Sequence, residues 1–190
     1  MSSLKNDFDE LLTRLKTGRD LNYAGFEPIY YLVFPPRDIL TVKRQLPAWK
    51  TRLRDQGWEV TVFSIAENIL DIHRTAPLRK LWISADAKNP LEWRKTNESL
   101  ANAVNSGALQ QRLEDKLTEL QDNPNALILV TDLEALHPYL RIGAIESSLH
   151  GRFTVPTVFL YPGTRTGMTK LRFLQFYPDD GNYRSVHIGG

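Results

Sequence analysis

The residue types that carry chemistry are sparse in this chain, and their spacing suits few reactions. Four histidines, His73, His137, His150 and His187, are scattered through 190 residues. No two stand at the HxxxH interval that sets two imidazoles on one helix face around a metal ion. Cysteine is absent, which removes disulfides, thiolate nucleophiles and cysteine zinc sites. Ser147-Ser148 lacks the flanking glycines of a nucleophile elbow. A phosphate cradle needs a glycine-rich turn whose free N–H groups open a helix. Neither GxGxxG nor GxxxxGK[ST] occurs, and the first strand-like run ends in Pro35-Pro36, which offer no N–H. No cofactor is therefore expected.

Three groups remain. Asp132 follows the apolar run ALILVT, where the metal-binding aspartate of a Walker-B strand would sit. Its favoured alternative is a helix N-cap, the carboxylate accepting backbone N–H bonds. Asp38 stands after another strand-like run, so Asp38 and Asp132 at neighbouring strand ends would make a two-carboxylate Mg²⁺ site for a degenerate nucleotide hydrolase or nuclease. Arg141, in Tyr139-Leu140-Arg141, falls in an apolar helical turn about 100° from Ile142. It is either a solvated cation or a bidentate brace on a carboxylate or strand-end carbonyls. The C-terminal third interleaves Arg165, Lys170, Arg172 and Arg184 with Phe173, Phe176, Tyr177 and Tyr183. That pattern can bind single-stranded nucleic acid, but far more often it is an ordinary hairpin with aromatic cross-strand pairs.

These groups need elements to position them, and composition permits a full core. The chain is 42% apolar, with 24 basic and 22 acidic residues, a net charge of +2. That balance neither demands nor excludes a nucleic-acid partner. The length fits a single domain spanning residues 1–190. No window approaches the roughly 18 apolar residues of a membrane span, and MSSLKNDFDELL has no secretory apolar core. The expectation is a cytoplasmic protein.

Leu4, Phe8, Leu11 and Leu15 mark an amphipathic first helix ending near Gly18. Ile29–Phe34, Trp58–Ile65, Ala126–Thr131 and Val155–Tyr161 are β-prone runs of the buried kind. The last stops at Pro162-Gly163. Between them lie helical patterns. One carries Val42, Leu46, Trp49 and Leu53, with Pro47 placed to kink or divide it. Others cover Ala66–His73, Asn97–Gln121 and Leu133–Leu149. Alternating strands and helices predict an α/β fold, a mainly parallel sheet with helices on both faces. Lys170–Tyr177 and Tyr183–Ile188 predict a C-terminal antiparallel β-hairpin at one edge.

IYYLVFPPRD, HPYLRIGAIESSL, VPTVFLYPG and LRFLQFYPDDGNYRSVHI, in that order, resemble the BrxB family of BREX phage-defence systems. The middle, from about Ile72 to Asn123, carries no part of that likeness. The resemblance implies a small accessory protein within a multiprotein complex whose companions are a PglZ-like protein of the phosphatase superfamily and a BrxC-like ATPase. It brings no catalytic motif. The positions it carries over are Tyr139, Leu140 and Arg141, then Tyr161, Pro162 and Gly163, then Tyr183 and Arg184, as architectural or partner-facing residues. The expected function is a non-enzymatic adaptor, with nucleic acid met only indirectly and no membrane contact.

Overall fold

Apolar β-rich runs bury both faces of the sheet, and this sets the architecture. The computed structural model describes residues 3–21, 27–167, 170–181 and 185–190. Strands β1 (Ile29–Phe34), β2 (Glu59–Ser64), β3 (Ala126–Thr131) and β4 (Thr157–Thr166) alternate with helices. The order across the sheet is β2-β3-β4-β1-β7, where β7 is Val186–Gly189, and every pairing along it is parallel. Every residue of β1 and β3 is buried, as a parallel sheet covered on both faces requires.

The two faces are separate apolar layers. On one, α1 (Leu4–Leu21) and α2 (Ile39–Asp55) pack Phe8, Leu11, Trp49 and Leu53 against Tyr30, Leu32, Leu129 and Leu160. Phe8 and Trp49 stack at 4.4 Å between ring centroids. On the other face, α3 (Ile65–Thr75), α5 (Trp93–Asn105), α6 (Ala108–Leu120) and α7 (Ile142–Ser148) cover Tyr31, Val33, Ile128, Phe159 and Tyr161. Helix α4 (Arg79–Lys88) precedes a 3-10 segment, Pro90–Glu92.

The α/β class and the parallel sheet follow the sequence expectation, and several details differ. Helix α2 continues through Pro47 without dividing. The 97–121 pattern splits into α5 and α6 at Gly107, whose φ of 90° is the left-handed conformation glycine tolerates. Strand β4 does not stop at Pro162-Gly163. It runs on to Thr166, and Gly163–Thr166 pairs antiparallel with β5 (Lys170–Phe173), which pairs antiparallel with β6 (Asp179–Gly181). The C-terminal antiparallel pairing is therefore β4-β5-β6, while β7 joins β1 in parallel at the sheet edge.

Pro162 and Gly163 mark the exchange of partners. Pro162 is the last residue of β4 in register with β1, opposite Phe34, and its carbonyl accepts the Leu174 N–H at 2.9 Å. At Gly163 the strands come so close that a Cβ would lie 2.4 Å from the Arg172 carbonyl oxygen and 2.5 Å from Tyr161 Cε1. Only glycine fits that approach.

Candidate functional site: a groove beside α7

A 3-10 segment, Leu133–Leu136, leads from β3 into a tight reversal. The His137-Pro138 peptide is cis, and the Tyr139 and Leu140 N–H groups both donate to the Leu136 carbonyl, at 2.7 and 2.8 Å. Arg141 is extended (φ −115°, ψ 146°) at the N-cap position of α7. Thus Arg141 precedes the helix instead of lying within an apolar turn of it. Ile142 and Ile145 of α7, with Leu149 just beyond, are buried in the core. Helical spacing turns Gly143, Ala144 and Ser147 outward.

These residues form one side of an open groove of about 560 Å³, with Pro138, Tyr139, Leu140 and Arg141 along its rim and Tyr177 and Asp180 opposite. The Arg141 guanidinium lies over the Tyr177 ring, 5.0 Å from its centroid, a cation–π contact. Tyr177 is backed by Phe173 at 5.6 Å and Phe176 at 4.8 Å, and its hydroxyl meets His137 Nδ1. The aromatic wall and the guanidinium hold each other in place.

Buried polar groups are coupled to the charges of the groove residues Arg141 and Asp180. Burial pushes the Tyr161 hydroxyl far above the usual tyrosine range; the Asp180 charge adds to this and Arg141 opposes it. Burial also drives the Glu146 carboxyl up to about 7, against the hydrogen bond from the Tyr31 hydroxyl and with the help of the Glu27 and Asp180 charges. That hydroxyl donates to Glu146 Oε2 at 2.6 Å. Glu146 does not itself line the groove; its burial at the contact between α7 and β1 is what favours the protonated carboxyl.

Tyr139 and Arg141 therefore meet at one rim, with Tyr161 fully buried behind them. Tyr139 is also structural: its hydroxyl donates to Asn97 Oδ1 at 3.4 Å, and its ring meets His73 at 6.0 Å. Pro162 and Gly163 shape the exchange from β1 to β5 and do not line the groove. Tyr183 and Arg184 lie outside the described residues. The fold adds Tyr177 and Asp180 to the groove and pairs Tyr31 with Glu146. Glu146 sits in HPYLRIGAIESSL and the other C-terminal pair in LRFLQFYPDDGNYRSVHI, but Tyr31 and Glu146 are 115 positions apart, and no local pattern joins them.

Asp38 and Asp132 do not stand at neighbouring strand ends. Asp38 follows β1 and Asp132 follows β3, and β4 lies between those strands. Asp132 is not the helix cap expected either: it has φ 60° and makes no capping hydrogen bond. Instead it accepts from Ser64 Oγ at 2.7 Å and Thr131 Oγ1 at 2.8 Å, and pairs with Lys43 Nζ at 2.7 Å. Burial alone would raise its pKa; these bonds and the Lys43 charge outweigh burial and hold it below the usual range. Lys43 also reaches Glu134 at 2.6 Å, so this cluster ties α2 to β2 and β3. Among the described residues no group of three His, Asp or Glu is arranged to hold a metal ion.

Among the described residues, part of the basic, aromatic C-terminus is taken up by its own contacts. Phe173 is buried, and Arg172 Nε donates to Asp179 at 2.7 Å. Phe176 is the large hydrophobic of this segment that stands exposed, at 64%.

Compared with known families, residues 62–188 match a family model described as BREX protein BrxB. The match takes in the HPYLR segment, the YPG strand and the C-terminal strands, and also the middle from Ile72 to Asn123; it leaves out Ile29–Asp38. No curated protein and no solved structure matches the chain.

Proposed function

We propose, from the premise that the chain belongs to the BrxB family, that it is a non-enzymatic adaptor. The family makes it a component of a BREX phage-defence system. Within such a system the adaptor holds a PglZ-like protein and a BrxC-like ATPase together in the cytoplasm. No helix of the described residues is long and apolar enough to cross a membrane.

The observation that carries this reading is the groove itself. Its rim includes Tyr139, Leu140 and Arg141, residues that carry the family resemblance, and its far wall Tyr177 and Asp180. Arginine and tyrosine are the side chains most enriched as anchors in protein interfaces. Arg141 is exposed and already ordered on Tyr177, so less side-chain entropy is lost on docking. Gly143 and Ala144 leave the α7 surface low enough for another chain to approach.

Co-purification from cells producing the companion proteins tests this. A tagged chain brings down both companions at low salt, and Arg141→Glu releases at least one of them while the fold is kept. Recovery of neither companion would sink the adaptor reading.

A further inference from the structure

We propose that α4, the Pro90–Glu92 segment and the first turn of α5 form a second docking surface, and that its occupant is an acidic amphipathic segment of a partner protein. This deepens the adaptor reading and rests on it, since an adaptor needs a second face besides the groove.

Helix α4 is attached to the body through one side chain. Trp82 is its only buried residue; the indole Nε1 donates to Ser99 Oγ at 2.8 Å, and the ring meets His73 at 6.2 Å. The rest of the helix is turned to solvent. Five of the eight large hydrophobics that stand exposed among the described residues fall within this short stretch: Leu78, Leu81, Ile83, Leu91 at 91% and Trp93. Scattered exposed leucines are ordinary, but a concentration of them marks a contact surface.

The charge around them has one sign. Leu78–Lys95 holds five cations, Arg79, Lys80, Lys88, Arg94 and Lys95, against Asp86 and Glu92. The net of +3 exceeds the +2 of the whole chain, so the remainder is slightly acidic. Among the described residues none of these five cations forms an ion pair, whereas Arg52, Arg112 and Arg172 each hold a carboxylate. An apolar centre with unpaired cations around it is complementary to an amphipathic segment carrying Asp and Glu beside its apolar residues.

Nucleic acid fits less well, because four of the five exposed apolar side chains are aliphatic and single strands are held by stacking on aromatic rings. A membrane surface also favours exposed apolar groups beside cations, and the vesicle measurement below separates the two.

The full chain is tested as Leu91→Asp/Trp93→Ser and as Arg79→Glu/Lys80→Glu, both at exposed positions, each compared with wild type and with Arg141→Glu. In co-purification the two double variants lose one companion by at least about ten-fold and keep the one released by Arg141→Glu. Both companions retained at wild-type levels would overturn the second surface and leave the adaptor intact. If wild type itself recovers neither companion, the adaptor fails, and this surface is then judged alone by anisotropy of a labelled amphipathic Glu/Leu helical peptide. Binding weakened about ten-fold by both double variants sustains the surface; absent or unaltered binding overturns it. Binding of phosphatidylserine vesicles or a single-stranded oligonucleotide that these variants abolish, with no effect on peptide or companions, also overturns it.

Discussion

The Tyr31 hydroxyl donates to Glu146 Oε2 across 2.6 Å, joining the interior strand β1 to α7, the helix whose Gly143, Ala144 and Ser147 line the groove. Burial, foremost, lifts the Glu146 carboxyl from an ordinary 4.5 to about 7. The folded chain therefore holds a proton there that the unfolded chain has released, and stability declines as pH rises from 4.5 through 7. Glu146→Gln keeps an acceptor for Tyr31 and removes the titration. At pH 8 its Tm exceeds wild type by about 2–4 °C or more, the scale of one kcal/mol at this chain length; at pH 5 the two converge. Parallel Tm profiles over this range would remove Glu146 as their source.

His187 has the opposite sign. Burial, with the Arg165 charge adding to it, lowers its pKa from 6.5 to about 4. The unfolded chain takes up a proton that the folded one refuses, so stability is full above 6.5 and is lost as pH falls towards 4. His187→Gln shows a shallower acid limb in urea titrations at pH 6.5, 5.5 and 4.5. An unchanged limb would assign acid sensitivity elsewhere.

Gly163→Ala puts a methyl 2.4 Å from the Arg172 carbonyl. It destabilises by about 1–3 kcal/mol through forced separation of β4 and β5. Gly181→Ala is the control, since its Cβ would meet only Lys170 Cγ at 3.6 Å. Equal urea midpoints for the two variants would contradict the close approach.

Asp132→Ala leaves Ser64, Thr131 and Lys43 without their shared acceptor and gives up a residue type that tolerates φ 60°. The expected cost is about 1–3 kcal/mol. Asp132→Asn, which keeps an oxygen and tolerates that conformation, costs less. The same cost for both, read from chemical denaturation, would show that the hydrogen bonds contribute little.

What the sequence made legible was local. IYYLVF and ALILVT each become a strand over the very residues expected, because continuous apolar β-rich runs suit only a sheet covered on both faces. Leu109, Leu113 and Leu117 likewise face the core. What it hid depends on distant partners. Asp132 reads as a cap until Ser64 and Lys43 arrive from other elements. Pro162 reads as a strand stop until β5 takes over the pairing. The YLR residues of the groove were visible as a motif, but the wall they face, Tyr177 and Asp180, is set by how the β4-β5-β6 strands fold back. The α4 surface left no signature of its own, because an apolar residue reads the same whether a core or a partner covers it.

The adaptor claim is tested most directly by co-purifying the tagged wild-type chain and its Arg141→Glu variant from cells that produce the PglZ-like protein and the BrxC-like ATPase. Wild type recovers both; the variant, still cooperatively folded at the assay temperature, loses at least one by about ten-fold or more. Recovery of neither by wild type, or of both in full by the variant, would contradict the account.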